Sequence, residues 1–456
     1  VAEDLYDIVI LGGGSGGYAC ALRAAQLGKK VVLIEEDKLG GTCLHRGCIP
    51  TKALLHAAEV ADSTRESAAF GVQASLEGID MNGVNSYKDG VVGRLYKGLQ
   101  GLVKSRDITY VTGTGRLAGK DAVEVNGQTY RGRAVVLATG SFARSLPGLD
   151  IGGRIITSDQ ALQLDYVPNS VIVLGGGVIG VEFASVWKSF GSEVTIIEAL
   201  PHLVPAEDEA CSKALERAYR KRKIAFNLGV RFASATQDEN SVTVTLEDGK
   251  SFTADLLLVA VGRGPRTSGI GYEENGVTMD RGFIPVDATL QTNVPGVYAV
   301  GDIVPGLQLA HRGFAQGIYL AEHLAGLNPQ PIDELGIPRV TYCEPEVASV
   351  GYTEAQAKDT FGDIEAYEYN LGGNGKSQIL GTQGFIKLVR QKDGPVVGVH
   401  MVGSRVGELI GEGQLIYNWE AYPEDVAALV HAHPTQNEAM GEAHLALAGK
   451  PLHAHA

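Results

Sequence analysis

The chain has 456 residues and a formal charge of −14, with 39 basic against 53 acidic side chains. That length exceeds what one hydrophobic core serves, so several domains are expected, and the acidity argues against nucleic acid, whose binding rests on Lys and Arg neutralising phosphates. No apolar run approaches the ~18 residues of a membrane span, and five cysteines are too few for a secreted disulfide framework. Cytoplasm is the expected compartment, or an organelle after removal of a targeting peptide, because Val1 to Asp7 is acidic and carries no basic n-region or cleavage site.

In chain order, Tyr6 to Leu11 reads as a buried strand that runs into Gly12-Gly13-Gly14-Ser15-Gly16-Gly17. An Ala-rich helix from Tyr18 to Leu27 follows, and a second strand, Lys30 to Ile34, delivers Glu35. Glycine-rich turns between strand and helix, with an acid at the end of the next strand, are the pattern of dinucleotide binding.

Cys43 and Cys48 come at once, in Gly41-Thr42-Cys43-Leu44-His45-Arg46-Gly47-Cys48-Ile49-Pro50-Thr51-Lys52. The four residues between them, Gly47 included, allow the Cα separation of at most about 7 Å that a disulfide requires. Such a bridge is a poor staple, since closing so short a loop removes only about 2 kcal/mol of unfolded-chain entropy. A redox role outweighs a structural one, and the fingerprint upstream points to electrons passing between a flavin and a disulfide.

The same unit recurs at Val171 to Leu174, Gly175-Gly176-Gly177-Val178-Ile179-Gly180, a helix from Val181 to Phe190, and a strand from Glu193 to Ile197 that delivers Glu198. Gly12 to Glu35 and Gly175 to Glu198 both span 23 positions, so two dinucleotides are expected. In each copy the first glycine (Gly12, Gly175) permits the tight turn, the second (Gly14, Gly177) lets the pyrophosphate approach the backbone, and the third (Gly17, Gly180) lets helix pack on strand. Glu35 and Glu198 are placed to accept from ribose hydroxyls. A 2′-phosphate about 4 Å from Glu198 would be repelled by roughly 4 kcal/mol at an effective dielectric of 20. No Lys or Arg stands in Ala199-Leu200-Pro201-His202 to offset this, so NAD is favoured over NADP.

Val135 to Gly140 and Leu256 to Arg263 are expected to end the two nucleotide sheets, and Val297 to Asp302 sets a carboxylate at a strand's end, suited to a cofactor's sugar-like hydroxyls. Beyond about Gly336 the texture changes to strands at Gly384 to Arg390 and Pro395 to Val402 and helices at Glu408 to Trp419 and Pro423 to Val430, a separate α+β domain. There His433 precedes Glu438 by five residues. A carboxylate so placed can fix the tautomer of a general base, although a His before Pro in a turn is more often merely exposed. Cys20, Cys211 and Cys343 read as buried apolar residues, and His453-Ala454-His455 as a frayed tail without metal partners.

These motifs, in this order from Tyr6 to His453, resemble the pyridine nucleotide–disulfide oxidoreductases, and among them the branch that acts on dihydrolipoamide. Gly16-Gly17-Tyr18, Ile49-Pro50-Thr51-Lys52, Gly301-Asp302-Ile303 with Leu309-Ala310-His311, and Ala432-His433-Pro434-Thr435 carry the resemblance. It implies an α/β fold with two Rossmann-like domains, an FAD-binding one at 1–143 and an NAD-binding one at 144–265. A central domain at 266–336 would complete the FAD site, and an α+β dimerisation domain would span 337–456. The implied activity is oxidation of dihydrolipoyl groups of 2-oxo acid dehydrogenase or glycine cleavage complexes, with electrons passing through a redox disulfide and FAD to NAD+. Cys43 would exchange with substrate and Cys48 lie against the flavin. Lys52 and Glu182 would pair beside the ring, Gly115 would contact the adenine end of FAD, Asp302 and Ala310 its ribityl and pyrophosphate side, and Glu198 and Gly262 would hold NAD. His433, oriented by Glu438, would act on the partner subunit's site in a homodimer.

The family more often has Asn-Val where this chain has His45-Arg46, and the added guanidinium is expected to favour a nearby thiolate. Thr51 and Gly373-Asn374-Gly375-Lys376 also depart from the pattern. Two other readings stay open at this point: a reductase of another disulfide or a quinone, and a docking subunit with a merely structural flavin.

Overall fold

The computed structural model describes residues 5–454. Strand β1 (Leu5–Leu11) leads through the glycine turn into helix α1 (Ser15–Gln26), and β2 (Val31–Glu35) follows. Next come the short α2 (Gly41–Arg46) and the long α3 (Cys48–Glu66). Strand β3 (Gln128–Leu137) returns beside β1. The sheet runs Thr109–Thr112, β2, β1, β3, Ala122–Val125, Arg116–Leu117. Its centre is parallel and buried on both faces, which is why these strands are continuous apolar runs.

The second unit repeats the plan. Strand β4 (Ser170–Leu174), helix α4 (Val178–Phe190), β5 (Glu193–Glu198) and β6 (Leu256–Val259) build a five-stranded parallel sheet in the order Ala225–Leu228, β5, β4, β6, Ile155–Ile156. Both helices begin three residues earlier than the sequence suggested, because their first turns are made by the fingerprints themselves. The segments expected to end the two sheets stand inside them instead. β3 pairs with β1, β6 pairs with β4, and each has a further strand on its other side. An uninterrupted run such as Leu256–Val259, wholly buried, suits a central position.

Strand β7 (Val297–Ala299) rejoins the first sheet along the end of β3, which delivers Asp302 to the same sheet edge as the first fingerprint. Helix α5 (Ala310–Leu324) then packs on α1 at close range. A Cβ at Gly317 would lie 2.5 Å from the Gly16 carbonyl oxygen. The rest of the chain forms a five-stranded antiparallel sheet, Arg339–Thr341, Glu346–Gly351, Val396–Gly403, Phe385–Gln391, Ile364–Asn370. Helices α6 (Val406–Asn418) and α7 (Glu438–Leu447) cover it, with a core of its own around Val399, Met401, Ile410 and Met440. Cys20, Cys211 and Cys343 are buried. The supposed tail is tied down: His453 donates its backbone N–H to Glu442 (3.0 Å), and its Nδ1 lies 2.7 Å from the same carboxylate, while His455 lies outside the described residues. Among the described residues no helix is long and apolar enough to cross a membrane.

Candidate active site

The two fingerprints take nearly identical form. Gly12 and Gly175 have φ of +110° and +112°, and a Cβ on either would lie 2.0 Å and 2.1 Å from the carbonyl oxygens of Ala138 and Ala260. Only glycine makes this turn. A Cβ at Gly17 would lie 1.8 Å from the Gly12 oxygen, and one at Gly180 2.0 Å from the Gly175 oxygen, so these two set the approach of helix to strand. The middle glycines differ in kind. A Cβ at Gly177 would meet nothing within 4 Å, and one at Gly14 only the Cα of Gly41 at 3.8 Å. Sterically free in the protein, they leave open a cradle that a side chain would fill, which is the space a pyrophosphate needs. The acids match as well: Glu35 accepts from Gly13 N–H and Glu198 from Gly176 N–H, both at 2.6 Å. Each second oxygen takes another backbone N–H, from Asp37 and from Leu200. A carboxylate offers about four acceptor sites, so both retain capacity for sugar hydroxyls.

Both fingerprints open on one cavity of about 1800 Å³, well above the roughly 300–1,000 Å³ of an ordinary ligand pocket. Cys43, Cys48, Lys52, Glu182, Gly115, Asp302, Ala310 and Gly262 line it, as do Gly12, Gly14, Glu35, Gly175, Gly177 and Glu198. Gly17 and Gly180 sit behind the wall as packing residues. Asp302 accepts from the Ser141 hydroxyl (2.6 Å), and Arg263 donates to that hydroxyl (2.8 Å) and to the Ser141 carbonyl (2.9 Å). Sequence reasoning missed Ser141 and Arg263, since more than 100 residues separate Ser141 from either partner and no local spacing announces them.

Cys43 closes the first turn of α2 and Cys48 opens α3, with Gly47 at the break. Both are free and partly exposed. The Cys43 thiol donates to Cys48, which with the Lys52 ammonium outweighs burial and lowers Cys48 to about 7, while the same interaction and burial raise Cys43. Lys52 pairs with Glu182 (3.0 Å), 2 % exposed, which also accepts from Tyr342 N–H (2.9 Å). Burial works against the ammonium, yet Glu182 and Cys48 hold its pKa above the usual value. The pair joins the two nucleotide units, with Glu182 buried and Lys52 partly exposed toward the cavity. Burial first, and then the two cysteines, push the Tyr18 phenol up to about 12.

The Arg46 guanidinium pairs with Asp37 (2.8 Å) at the turn after β2, while the groups acting most strongly on Cys48 are Cys43 and Lys52.

His433 and Glu438 come together as expected, with Nδ1 2.7 Å from Oε1, but they do not line the cavity of their own chain. The His433 side chain is 78 % exposed. Its loop is anchored throughout: Thr435 N–H donates to Glu438 (2.7 Å), Asn374 donates to the Thr435 carbonyl (2.9 Å), and Glu412 of α6 holds both His431 and Asn437. The departure at Gly373 to Lys376 thus lies against the histidine loop. Thr435 N–H and His433 outweigh burial and keep Glu438 below the usual carboxylate range.

A fold with two dinucleotide cradles around one thiol pair defines a disulfide oxidoreductase that works with FAD and a pyridine nucleotide. The family model described as pyridine nucleotide-disulphide oxidoreductase matches residues 6–317, and its dimerisation domain matches residues 337–444. The chain belongs to the pyridine nucleotide–disulphide oxidoreductases. It is 41 % identical to a dihydrolipoyl dehydrogenase of Bacillus subtilis, over 98 % of this chain and 99 % of that protein. With the mitochondrial dihydrolipoyl dehydrogenase of Pisum sativum it shares 38 % over 99 % and 93 %. The crystal structure of LpdA from Mycobacterium tuberculosis superposes with a TM-score of 0.91 at 26 % identity, over 97 % of this chain and 100 % of that one.

Proposed function

We propose that this protein oxidises dihydrolipoyl groups to lipoyl groups with NAD+ as final acceptor, in the cytoplasm and as a homodimer, serving lipoyl-bearing subunits of 2-oxo acid dehydrogenase or glycine cleavage complexes. The observation that carries it is the thiol pair set between the two cradles and backed by Lys52–Glu182. The curated relatives supply the substrate class.

The residues divide the work as follows. With Cys43 and Cys48 joined as a disulfide, His433 takes a proton from the substrate dithiol at Nε2, its Nδ1 being held by Glu438. The substrate thiolate attacks Cys43 Sγ, and the S–S bond breaks with Cys48 leaving as a thiolate, which Lys52 stabilises. His433 releases the first proton to solvent and takes that of the second substrate sulfur, which attacks the mixed disulfide. Cyclic lipoyl disulfide departs, and Cys43 leaves as a thiolate that receives this second proton from His433. Two electrons and the sulfur–sulfur bond have then exchanged places. Gly12, Gly14, Glu35, Gly115, Asp302 and Ala310 would hold FAD, which when bound would supply two-electron redox chemistry between the thiol pair and NAD+. Gly175, Gly177, Glu198 and Gly262 would hold NAD. We assign His433 to the partner's cavity, since in its own chain it is exposed and does not line the thiols' cavity.

Holoenzyme given dihydrolipoamide and NAD+ should form NADH, and Cys48→Ser should lose this activity while retaining FAD. Turnover that survives in Cys48→Ser, or wild-type enzyme that reduces other disulfides but leaves dihydrolipoamide untouched, would refute the assignment.

A further inference from the structure

Arg46, half-exposed, ends α2 one helical turn beyond Thr42, so the two side chains share a face, and both line the same cavity as Gly12, Gly14 and Glu35. α2 is set against the first fingerprint at backbone distance: a Cβ at Gly41 would lie 2.7 Å from the Cα of Gly14. The turn after β2 carries consecutive acids, and each grips one guanidinium, Glu36 that of Arg266 and Asp37 that of Arg46. Arg46 lines the cavity wall whereas Asp37 does not, so the carboxylate holds the guanidinium from behind. Asp37 engages only Nη2, and the other donors of the five-donor fork have no partner among the described residues. Arg263 lies close enough that burial first, and Arg46 among the neighbouring charges, weaken its basicity. The glycine turn itself contains no cation.

We propose that Arg46 is a binding residue for the diphosphate of FAD, braced by Asp37; this rests on the FAD reading of the first cradle. A planar fork matches phosphate oxygens in a way a hydroxyl or an amide does not, and a diphosphate is the anionic part of the dinucleotide expected at that turn. The His45-Arg46 departure then changes cofactor retention rather than thiolate chemistry.

The full-length dimer, stripped of flavin, is titrated with FAD and, separately, with riboflavin, which shares the ring but lacks phosphate. Arg46→Ala should raise the Kd for FAD at least about tenfold, leave that for riboflavin within about twofold, and flatten the salt dependence of FAD binding. Arg46→Lys, which keeps the charge without the fork, should fall between. FAD affinity unchanged in Arg46→Ala would overturn the assignment and leave an ordinary surface ion pair. Equal weakening of FAD and riboflavin would overturn it too, since the defect would then lie in the fold. Wild-type apoprotein that fails to bind FAD would sink the parent reading along with it, a result distinct from either.

Discussion

Cys48 sits where opposing influences are nearly matched. Removal from water favours the thiol, while the hydrogen bond from Cys43 and the charge of Lys52 favour the thiolate and win, which leaves the group titrating at about 7 against an ordinary value of 9.0. In the dithiol the charge is therefore favoured on Cys48 and the proton on Cys43, whose thiol is raised. The sign for stability follows. An acid whose folded pKa lies below its unfolded one favours the fold most above the unfolded value, and loses that contribution as pH falls through the folded one. The dithiol form should thus become less stable as pH drops from about 9 to about 7 on account of this group. The influence of Cys43 is testable by removing its thiol: in Cys43→Ala, Cys48 should titrate about one unit or more higher than in the reduced wild type. The rate of alkylation at Cys48, followed by peptide mapping across pH, reads this directly, and coincident profiles would show that the Cys43 thiol has no such effect.

The repeated strand–turn–helix element allows a sharper separation of folding from binding than any single residue. Within the second copy, Gly180→Ala would drive a methyl to 2.0 Å from the Gly175 oxygen, whereas Gly177→Ala would place one in open space facing the cavity. The first should destabilise the protein by about 1–3 kcal/mol, as overpacking does, and lower its melting temperature. The second should leave the melting temperature alone and weaken NADH binding. A melting temperature lowered as much by Gly177→Ala as by Gly180→Ala would contradict the division of roles. The same contrast explains what could be read in advance. Fingerprints, the cysteine pair and the His433–Glu438 spacing are local patterns whose chemistry is carried by positions a few residues apart. What escaped was long-range. Ser141 reaches Asp302 only because β7 joins the first sheet beside β3. The run of β6 is consistent with a buried inner strand, but which strands flank it, β4 and Ile155–Ile156, is a matter of sheet order that local pattern does not encode. The Arg46–Asp37 pair escaped because Asp37 is delivered by another element.

At the scale of the whole molecule, the thiols and the His433–Glu438 pair of one chain stand apart. The thiols look into the large cavity; the histidine and its carboxylate stand on the surface of the C-terminal unit, the part matched by the dimerisation domain, outside that cavity. If each complete site takes its thiols from one subunit and its base from the other, two defective chains should repair each other. Cys48→Ser homodimers lack the relay in both sites, and His433→Gln homodimers lack the base in both. A dimer of one chain of each kind has one site with both defects and one with neither. Denaturing and refolding an equal mixture should then give random pairing, half of it mixed dimers, and about one quarter of wild-type turnover. Sites built within single chains would predict no recovery at all, because every chain in the mixture is defective. NADH formation from dihydrolipoamide before and after exchange distinguishes the two. Activity that stays at the level of the separate homodimers, despite mixed dimers seen by mass, would return His433 to its own subunit or remove it from the mechanism.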